Sequence, residues 1–363
     1  VQIAIDAGYD VHWYSPTTAV VDGASVYWNP WKGRRFRAIA EPTYLAALIL
    51  KIRPDLVHVF YANYRLLNIA VLLARRVIVT VMGSDISPVR LQRSAFDRFL
   101  VKCLLKKASV ITSKSRYLDR VLIDLNLPEA KLRRITWGID PESYHPRVDT
   151  EPLRNQLNIR PGTFVLFSLR ACKPLYQHEK IIEAFVAFSQ RLNADSVLLV
   201  TTMFAQSEYL TSLRRLVNER ANTGRILFLP PIPPKEMPAY YNLADAVISI
   251  PRSDGMPQSL YESMACGCFH ILGDLPQYDE LLYPGENGLA VSVDDADDIS
   301  KAFDWVYRNR QRIRKFQEEN AARVLRIADE REQTLLVKAL YEKQIQKNYD
   351  RKAMLFRSNN RSV

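Results

Sequence analysis

The sequence predicts an α/β protein built from two doubly wound parallel sheets, and three observations carry that prediction. Short β-branched runs alternate with longer amphipathic stretches along nearly the whole chain, the pattern of parallel strands joined by crossover helices. The alternation breaks once, in a loop carrying Pro141, Pro146 and Pro152, and then restarts. At 363 residues the chain also exceeds what one hydrophobic core ordinarily holds.

In the first half, strands are expected at 10–14, 56–60, 77–81, 110–112 and 133–135, with helices at 41–51, 91–106 and 115–125. After the proline loop, strands are expected at 164–169, 196–201, 226–228, 246–250 and 269–272, and helices at 179–191, 207–218, 258–266 and 295–308. Two long helical stretches, 311–327 and 333–346, follow. Beyond 347 the apolar period is lost and disorder is expected. The chain therefore divides into domains 1–150 and 151–332, and a terminal helix with a basic tail, 333–363. Ligands of doubly wound sheets bind beyond the carboxyl ends of the strands, so residues following each strand carry the functional weight.

Composition removes several function classes. No apolar run approaches the ~18 residues of a membrane span; 69–81 comes nearest, and Arg75 and Arg76 interrupt it. Four cysteines (Cys103, Cys172, Cys266, Cys268) are too few for a disulfide framework, and none has zinc-ligand spacing to histidines. Cys266-Gly-Cys268 reads as an apolar helix end running into a buried strand. Charge is uneven: residues 1–150 hold 22 Lys and Arg against 13 Asp and Glu, the remainder 28 against 26. Within residues 90–134 the balance is 12 basic to 4 acidic. Such a surface is either a solvated helix face or one that attracts polyanions or an anionic membrane surface. Nucleic acid is not expected, because zinc fingers, RNP-type motifs and basic–aromatic interleaving are missing.

The most informative segment runs from Pro251 to Gly267. It follows a buried strand and opens a helix, so Gln258 and Ser259 offer backbone N–H groups at a helix N-terminus, a site suited to a diphosphate. Gly255 permits close backbone approach and Pro257 pre-sets the turn. Two carboxylates, Asp254 and Glu262, flank that turn. Both would repel phosphate. Both can read vicinal hydroxyls, each charge-assisted hydrogen bond contributing ~1.5–3 kcal/mol. A phosphate site between two hydroxyl readers describes a sugar nucleotide. A plain helix cap would explain Asp254 but not Glu262, which lies in an otherwise apolar helix.

Asp254-x7-Glu262, continued by Ser-Met-Ala-Cys-Gly267, resembles the E-x7-E signature of retaining glycosyltransferases, especially glycosyltransferase family 4 with its GT-B fold. Asp55-Leu-Val-His58, Thr80-Val-Met-Gly-Ser-Asp85, Ala108-Ser-Val-Ile-Thr-Ser-Lys-Ser115 and Ile135-Thr-Trp-Gly-Ile-Asp140 are similar to that family's acceptor-domain strand ends. Ile182-Glu-Ala-Phe185, Tyr240-Tyr-Asn-Leu-Ala-Asp245 and Gly285-Glu-Asn-Gly288 are similar to its donor domain. The resemblance implies two Rossmann-like domains facing a cleft, with the C-terminal helix returning to the first. Against the family pattern, residues 1–7 read as the first helix and 8–11 as the turn after it. The opening strand and glycine-rich loop are accordingly expected to be absent from this sequence.

The resemblance also assigns roles. Glu262 would bind the donor ribose, and Asp254 the transferred sugar with the backbone amides of Gly255 and Met256. Asp254 stands where the family usually has Glu. Arg170 would grip the diphosphate together with a lysine, Lys173 or in its place Lys180. Met82 occupies a position where many relatives carry His, and Asp85 would orient or deprotonate the acceptor hydroxyl, or merely cap its turn. His58, at another strand end, reads as a packed, hydrogen-bonded histidine, with a catalytic role as the lesser alternative. The implied activity is a retaining hexosyltransferase that moves a sugar from a UDP- or GDP-sugar donor to a hydroxyl of a glycan or lipid-linked acceptor. It would act in the cytoplasm, at the inner face of the membrane, with no cofactor and no metal, since no Asp-x-Asp lies at a suitable strand end. Two other readings stay open: a non-catalytic sugar-nucleotide-binding protein, and an epimerase or phosphorylase on the same scaffold.

Overall fold

The computed structural model describes residues 1–15, 20–28, 34–62, 64–87, 94–192, 195–220 and 224–359, without the side chains of 34–39, 64–66 and 348–359. They form two compact units, 1–136 with 331–363 and Trp137–Glu330. Residues 137–150, grouped with the first half on sequence, cluster with the second unit. The proline loop is thus part of that unit's interior connections, and Pro152 sits in the first turn of a helix. Proline fits there because a first-turn N–H has no intrahelical acceptor.

In the first unit, α1 (Gln2–Asp6) leads into β1 (His12–Ser15), which pairs in parallel with β2 (Ser25–Trp28). A four-stranded parallel sheet follows in simple sequential order: β3 (Val57–Phe60), β4 (Val77–Thr80), β5 (Val110–Ser113) and β6 (Leu132–Arg134). Its helices are α2 (Arg34–Ile52), α3 (Tyr64–Leu73), α4 (Ala95–Lys107) and α5 (Arg116–Asp124). Ser94 and Ser115 cap α4 and α5 by accepting from the amides of Asp97 and Leu118. The expected helix at 91–106 begins on residues outside the described ones. The core joins Leu67, Val79, Leu104, Ile111 and Leu122.

The second unit contains α6 (Glu151–Leu157), β7 (Phe164–Ser168), α7 (His178–Leu192), β8 (Ser196–Thr201), α8 (Ser207–Glu219), β9 (Arg225–Leu229) and α9 (Met237–Leu243). It continues through β10 (Ala246–Ser249), α10 (Gln258–Ala265), β11 (His270–Gly273), β12 (Gly288–Val291), α11 (Ala296–Arg314) and α12 (Gln317–Ala328). The parallel sheet has the order β12-β11-β10-β7-β8-β9. Four central strands are buried along their whole length, which is why they read as unbroken apolar runs rather than alternating ones. Alternate residues serve opposite faces: Phe164, Leu166 and Ile248 on one, Val165, Phe167 and Val247 on the other.

The last helix, α13 (Glu330–Asn359), enters the first unit, where Leu340 packs on Ile78 and Val110 and Tyr341 reaches His58. It continues past 347, so the expected disorder there gives way to helix as far as Asn359; 360–363 lie outside the described residues. The helix expected at 311–327 is instead the end of α11 plus α12. Strands β2 and β12 were not anticipated, each being four residues long and only partly buried.

Candidate active site

The strand order of the second unit's parallel sheet reverses between β7 and β10, which are neighbours although far apart in sequence. At such a switch point the loops leaving the two strands diverge and open a crevice. Arg170 leaves β7 and Asp254 leaves β10, and the structure brings them together: Arg170 Nη1 lies 3.0 Å from Asp254 Oδ2, both side chains almost wholly buried. The contact is ionic. It lacks hydrogen-bond alignment, and Nη1 is left without a hydrogen-bond acceptor. The guanidinium stacks on Tyr176, 4.6 Å from the ring centroid; burial pulls its pKa down, but the Asp254 charge together with Tyr278 and Tyr176 raises it on balance.

Asp254 is held from three sides. Oδ1 accepts from the Gly255 amide at 2.7 Å, Oδ2 accepts from the Tyr278 hydroxyl at 2.6 Å, and the Gln277 amide group donates to its carbonyl at 3.2 Å. The Gly255 N–H assigned to the transferred sugar is therefore already engaged. Met256, the other amide of that assignment, has φ of 61° and a fully buried side chain, packed with Leu260, Tyr261 and Tyr278. A non-glycine residue in the left-handed region costs about 1–3 kcal/mol, so this packing is what holds the turn in shape.

Helix α10 begins at Gln258 with Pro257 as its cap and no side-chain cap hydrogen bond, and its first turn has no acidic residue. Gln258 is exposed and Ser259 half-buried. Ser259 and Arg170 line one small cavity with Ser249 and Tyr278. An uncapped helix start and a buried guanidinium with a spare donor together form a place for a negatively charged group. Lys173 is half-buried, its Nζ 5.9 Å from the Phe204 ring centroid. Lys180 instead faces Glu183 at 3.8 Å.

Glu262 lies one turn into α10. Oε2 accepts from the Tyr241 hydroxyl at 3.0 Å. Burial raises the Glu262 pKa and that hydrogen bond opposes the rise. Tyr144 packs beside Tyr241, and burial, with the Glu262 charge, pushes its pKa up to about 12. The helix closes with a Schellman turn: the Gly267 amide donates to Met264 and the Cys268 amide to Ser263, with Gly267 at φ 73°. Cys266 and Cys268 are buried at this stop, which raises both thiol pKa values and keeps them protonated.

Two buried histidines fix the loops. His178 Nε2 donates to the Ala171 carbonyl at 3.0 Å, so in the neutral ring Nδ1 accepts from Ser168 at 2.9 Å; this staples the Arg170 loop to α7. His270 Nδ1 donates to the Asn287 carbonyl and Nε2 accepts from Ser263, tying α10 to the Gly285–Gly288 turn. Gln177 completes the frame, donating to Ile250 and Val293 and accepting from Arg252. Tyr278, Tyr241, Gln177 and His178 were missed from sequence, since nothing local marks a tyrosine or glutamine as a brace for a distant loop.

In the first unit, Asp85 is fully buried. Its carboxylate accepts from the amides of Ala62 (2.6 Å), Met82 (3.0 Å) and Gly83 (2.8 Å), so it shapes the loop after β4. His58 packs against Phe60 and bonds Tyr341 at 2.8 Å and Thr80 at 2.7 Å; burial lowers its pKa to about 4. Both behave as braces. Among the described residues no three His, Cys, Asp or Glu are grouped to hold a metal.

The model for glycosyl transferases group 1 matches residues 149–324, and that for glycosyl transferase 4-like proteins matches 1–115. A GDP-mannose-dependent alpha-(1-6)-phosphatidylinositol monomannoside mannosyltransferase of Mycolicibacterium smegmatis is 24% identical over 241 residues, 63% of this chain and 60% of that protein. A D-inositol 3-phosphate glycosyltransferase of Pseudarthrobacter chlorophenolicus is 24% identical over 170 residues, 47% of this chain and 40% of that protein. The chain thus spans roughly half the length of these curated relatives. Among solved structures, sucrose-phosphate synthase of Thermosynechococcus elongatus superposes with TM-score 0.76 at 17% identity, over 95% of this chain and 92% of that one. HepE of Anabaena, solved with UDP-glucose, gives 0.73 at 15% identity, over 88% and 86%.

Proposed function

Because the chain belongs to the glycosyl transferases group 1 family and has the α/β GT-B fold of its solved relatives, we propose that it moves a hexose from a nucleotide-sugar donor to a hydroxyl acceptor, with retention of anomeric configuration. The observation that carries this reading is the buried Arg170, close to the start of α10 and paired with Asp254. A diphosphate there meets the guanidinium and the amides of Gln258 and Ser259, with Lys173 as the further cation. These groups oppose the negative charge that grows on the leaving diphosphate as the glycosidic bond breaks. They therefore lower the barrier instead of only tightening binding.

Glu262 has one oxygen on Tyr241, and the other is the acceptor for a ribose hydroxyl. Asp254 reads the transferred sugar. Its reach is one methylene shorter than the family's usual glutamate, and Tyr278 and Gly255 hold it in place. The donor is a UDP- or GDP-hexose, supported by the UDP-glucose complex of HepE and the GDP-mannose dependence of the mycobacterial relative. The acceptor is a glycan or a lipid-linked sugar, and the reaction needs no metal, so a chelator leaves the rate unchanged.

The test is nucleoside diphosphate release from a panel of UDP-, GDP- and ADP-sugars, comparing the parent with Glu262→Ala. Release from one donor, with the variant's donor KM raised roughly tenfold to a hundredfold, is the expected result. Donor binding without release from any member of the panel would establish a sugar-nucleotide-binding protein instead. The anomeric configuration of the glycoside product, read by proton NMR and compared with that of the donor, tests retention.

A further inference from the structure

Helix α4 has two unlike faces. Val101, Leu104 and Leu105 are buried in the core of the first unit. On the outward face Phe96 and Phe99 are 71% and 65% exposed, one turn apart. Arg98, Lys106 and Lys107 are exposed around them and Lys102 is half-buried. The helix's one carboxylate, Asp97, lies in the first turn, where it favours the helix dipole, and it is half-buried. Helix α3 packs alongside and carries Leu72, 58% exposed, in its last turn, with Arg75 exposed just beyond.

Two largely exposed phenylalanines on successive turns need a reason, because a solvated helix face gains nothing from them. A protein-binding patch would favour aromatics among neutral or mixed charges. Here the aromatic pair is surrounded by cations, which is the complement of an anionic bilayer: rings at the headgroup level, lysine and arginine heads on lipid phosphates, stems along the acyl boundary. No helix among the described residues is long and apolar enough to cross a membrane, so such attachment is peripheral. We propose that the outward face of α4, Phe96 and Phe99 with Arg98, Lys102, Lys106 and Lys107, docks the protein on membrane carrying anionic lipid.

Vesicle co-sedimentation tests it with the full chain, using phosphatidylcholine alone and phosphatidylcholine with phosphatidylglycerol. Binding to the anionic vesicles only is expected, lost at roughly 1 M salt, where the Debye length falls to about 3 Å. Phe96→Ser with Phe99→Ser, and separately Lys102→Glu with Lys106→Glu, should each weaken binding at least roughly tenfold. Circular dichroism melts should be unchanged, since the phenylalanines touch no core. Equal binding to both vesicle types, or binding untouched by either variant pair, would overturn the proposal. So would parent dimers in light scattering that the serine pair abolishes, which would make this face a contact between copies. Nucleoside diphosphate release is measured independently of vesicles, so failure here leaves the transferase reading intact.

Discussion

Asp85 and Asp254 stand in equivalent places, each five residues beyond the end of a fully buried parallel strand, β4 and β10. Their surroundings differ completely. Asp85 is saturated by three backbone amides. Asp254 has one amide, one tyrosine hydroxyl and a guanidinium whose own hydrogen-bonding capacity is not used up. A carboxylate satisfied by main chain has no capacity left for a ligand and fixes loop shape. A carboxylate paired with an incompletely satisfied cation marks a place where another charged or hydroxylated group belongs.

The largest expected effect separates the two directly. Arg170→Ala should lower nucleoside diphosphate release about 10²–10³-fold at saturating donor, because it removes a preorganised charge from the leaving group. If the rate falls less than about tenfold while the fold is intact, the switch-point pocket is not where the diphosphate departs, and the contrast with Asp85 loses its meaning.

Next comes pH. Burial lowers the pKa of His58 in the first unit and His270 in the second to about 4, against about 6.5 unfolded. Below 6.5 the unfolded chain binds more protons than the folded one. Stability contributed by each neutral imidazole is therefore complete above 6.5 and is lost as pH falls through 4, up to about 3 kcal/mol per histidine. Urea midpoints measured between those values should fall steadily, and His270→Gln should flatten its share of the slope. A slope unaffected by that change would mean His270 is already solvated.

The smallest effect concerns the brace. Asp85→Ala should cost about 1–3 kcal/mol in urea unfolding, as the stranded amides of Ala62, Met82 and Gly83 lose their acceptor. Nucleoside diphosphate affinity should be unchanged in calorimetry. Full stability with abolished transfer would reverse the assignment and make Asp85 an acceptor-side base.

Much of the fold was legible because its signals are local. Strands β7, β8, β10 and β11 are buried on both faces, and their uninterrupted apolar runs say so. The start of α10 was legible from Pro257, and its end from Gly267. Helix α2 was read too short, since Pro42 looks like a first turn, whereas the helix carries it inside from Arg34 onward. Strand β2, Ser-Val-Tyr-Trp, is short and half-exposed, and gave no pattern to read. For the site, Asp254 and Glu262 were singled out by their positions before and within a helix, and Arg170 by the family resemblance. Their partners were not: Tyr278 and Tyr241 look like ordinary core aromatics until the chain folds.

Periodicity, helix-end chemistry and charge counting thus determined, from sequence alone, that the chain alternates strands and helices, where α10 begins and stops, and that basic residues crowd the first half. Only the tertiary structure decided that β7 lies beside β10, that Arg170 meets Asp254 there, that Asp85 is consumed by backbone amides, and that Phe96 and Phe99 face outward. The physical reason is range. Hydrogen-bond demand and side-chain period act within a few residues and are written locally. Strand order, burial of a charge pair and exposure of a helix face depend on which distant segments exclude water together, and no local pattern records that choice.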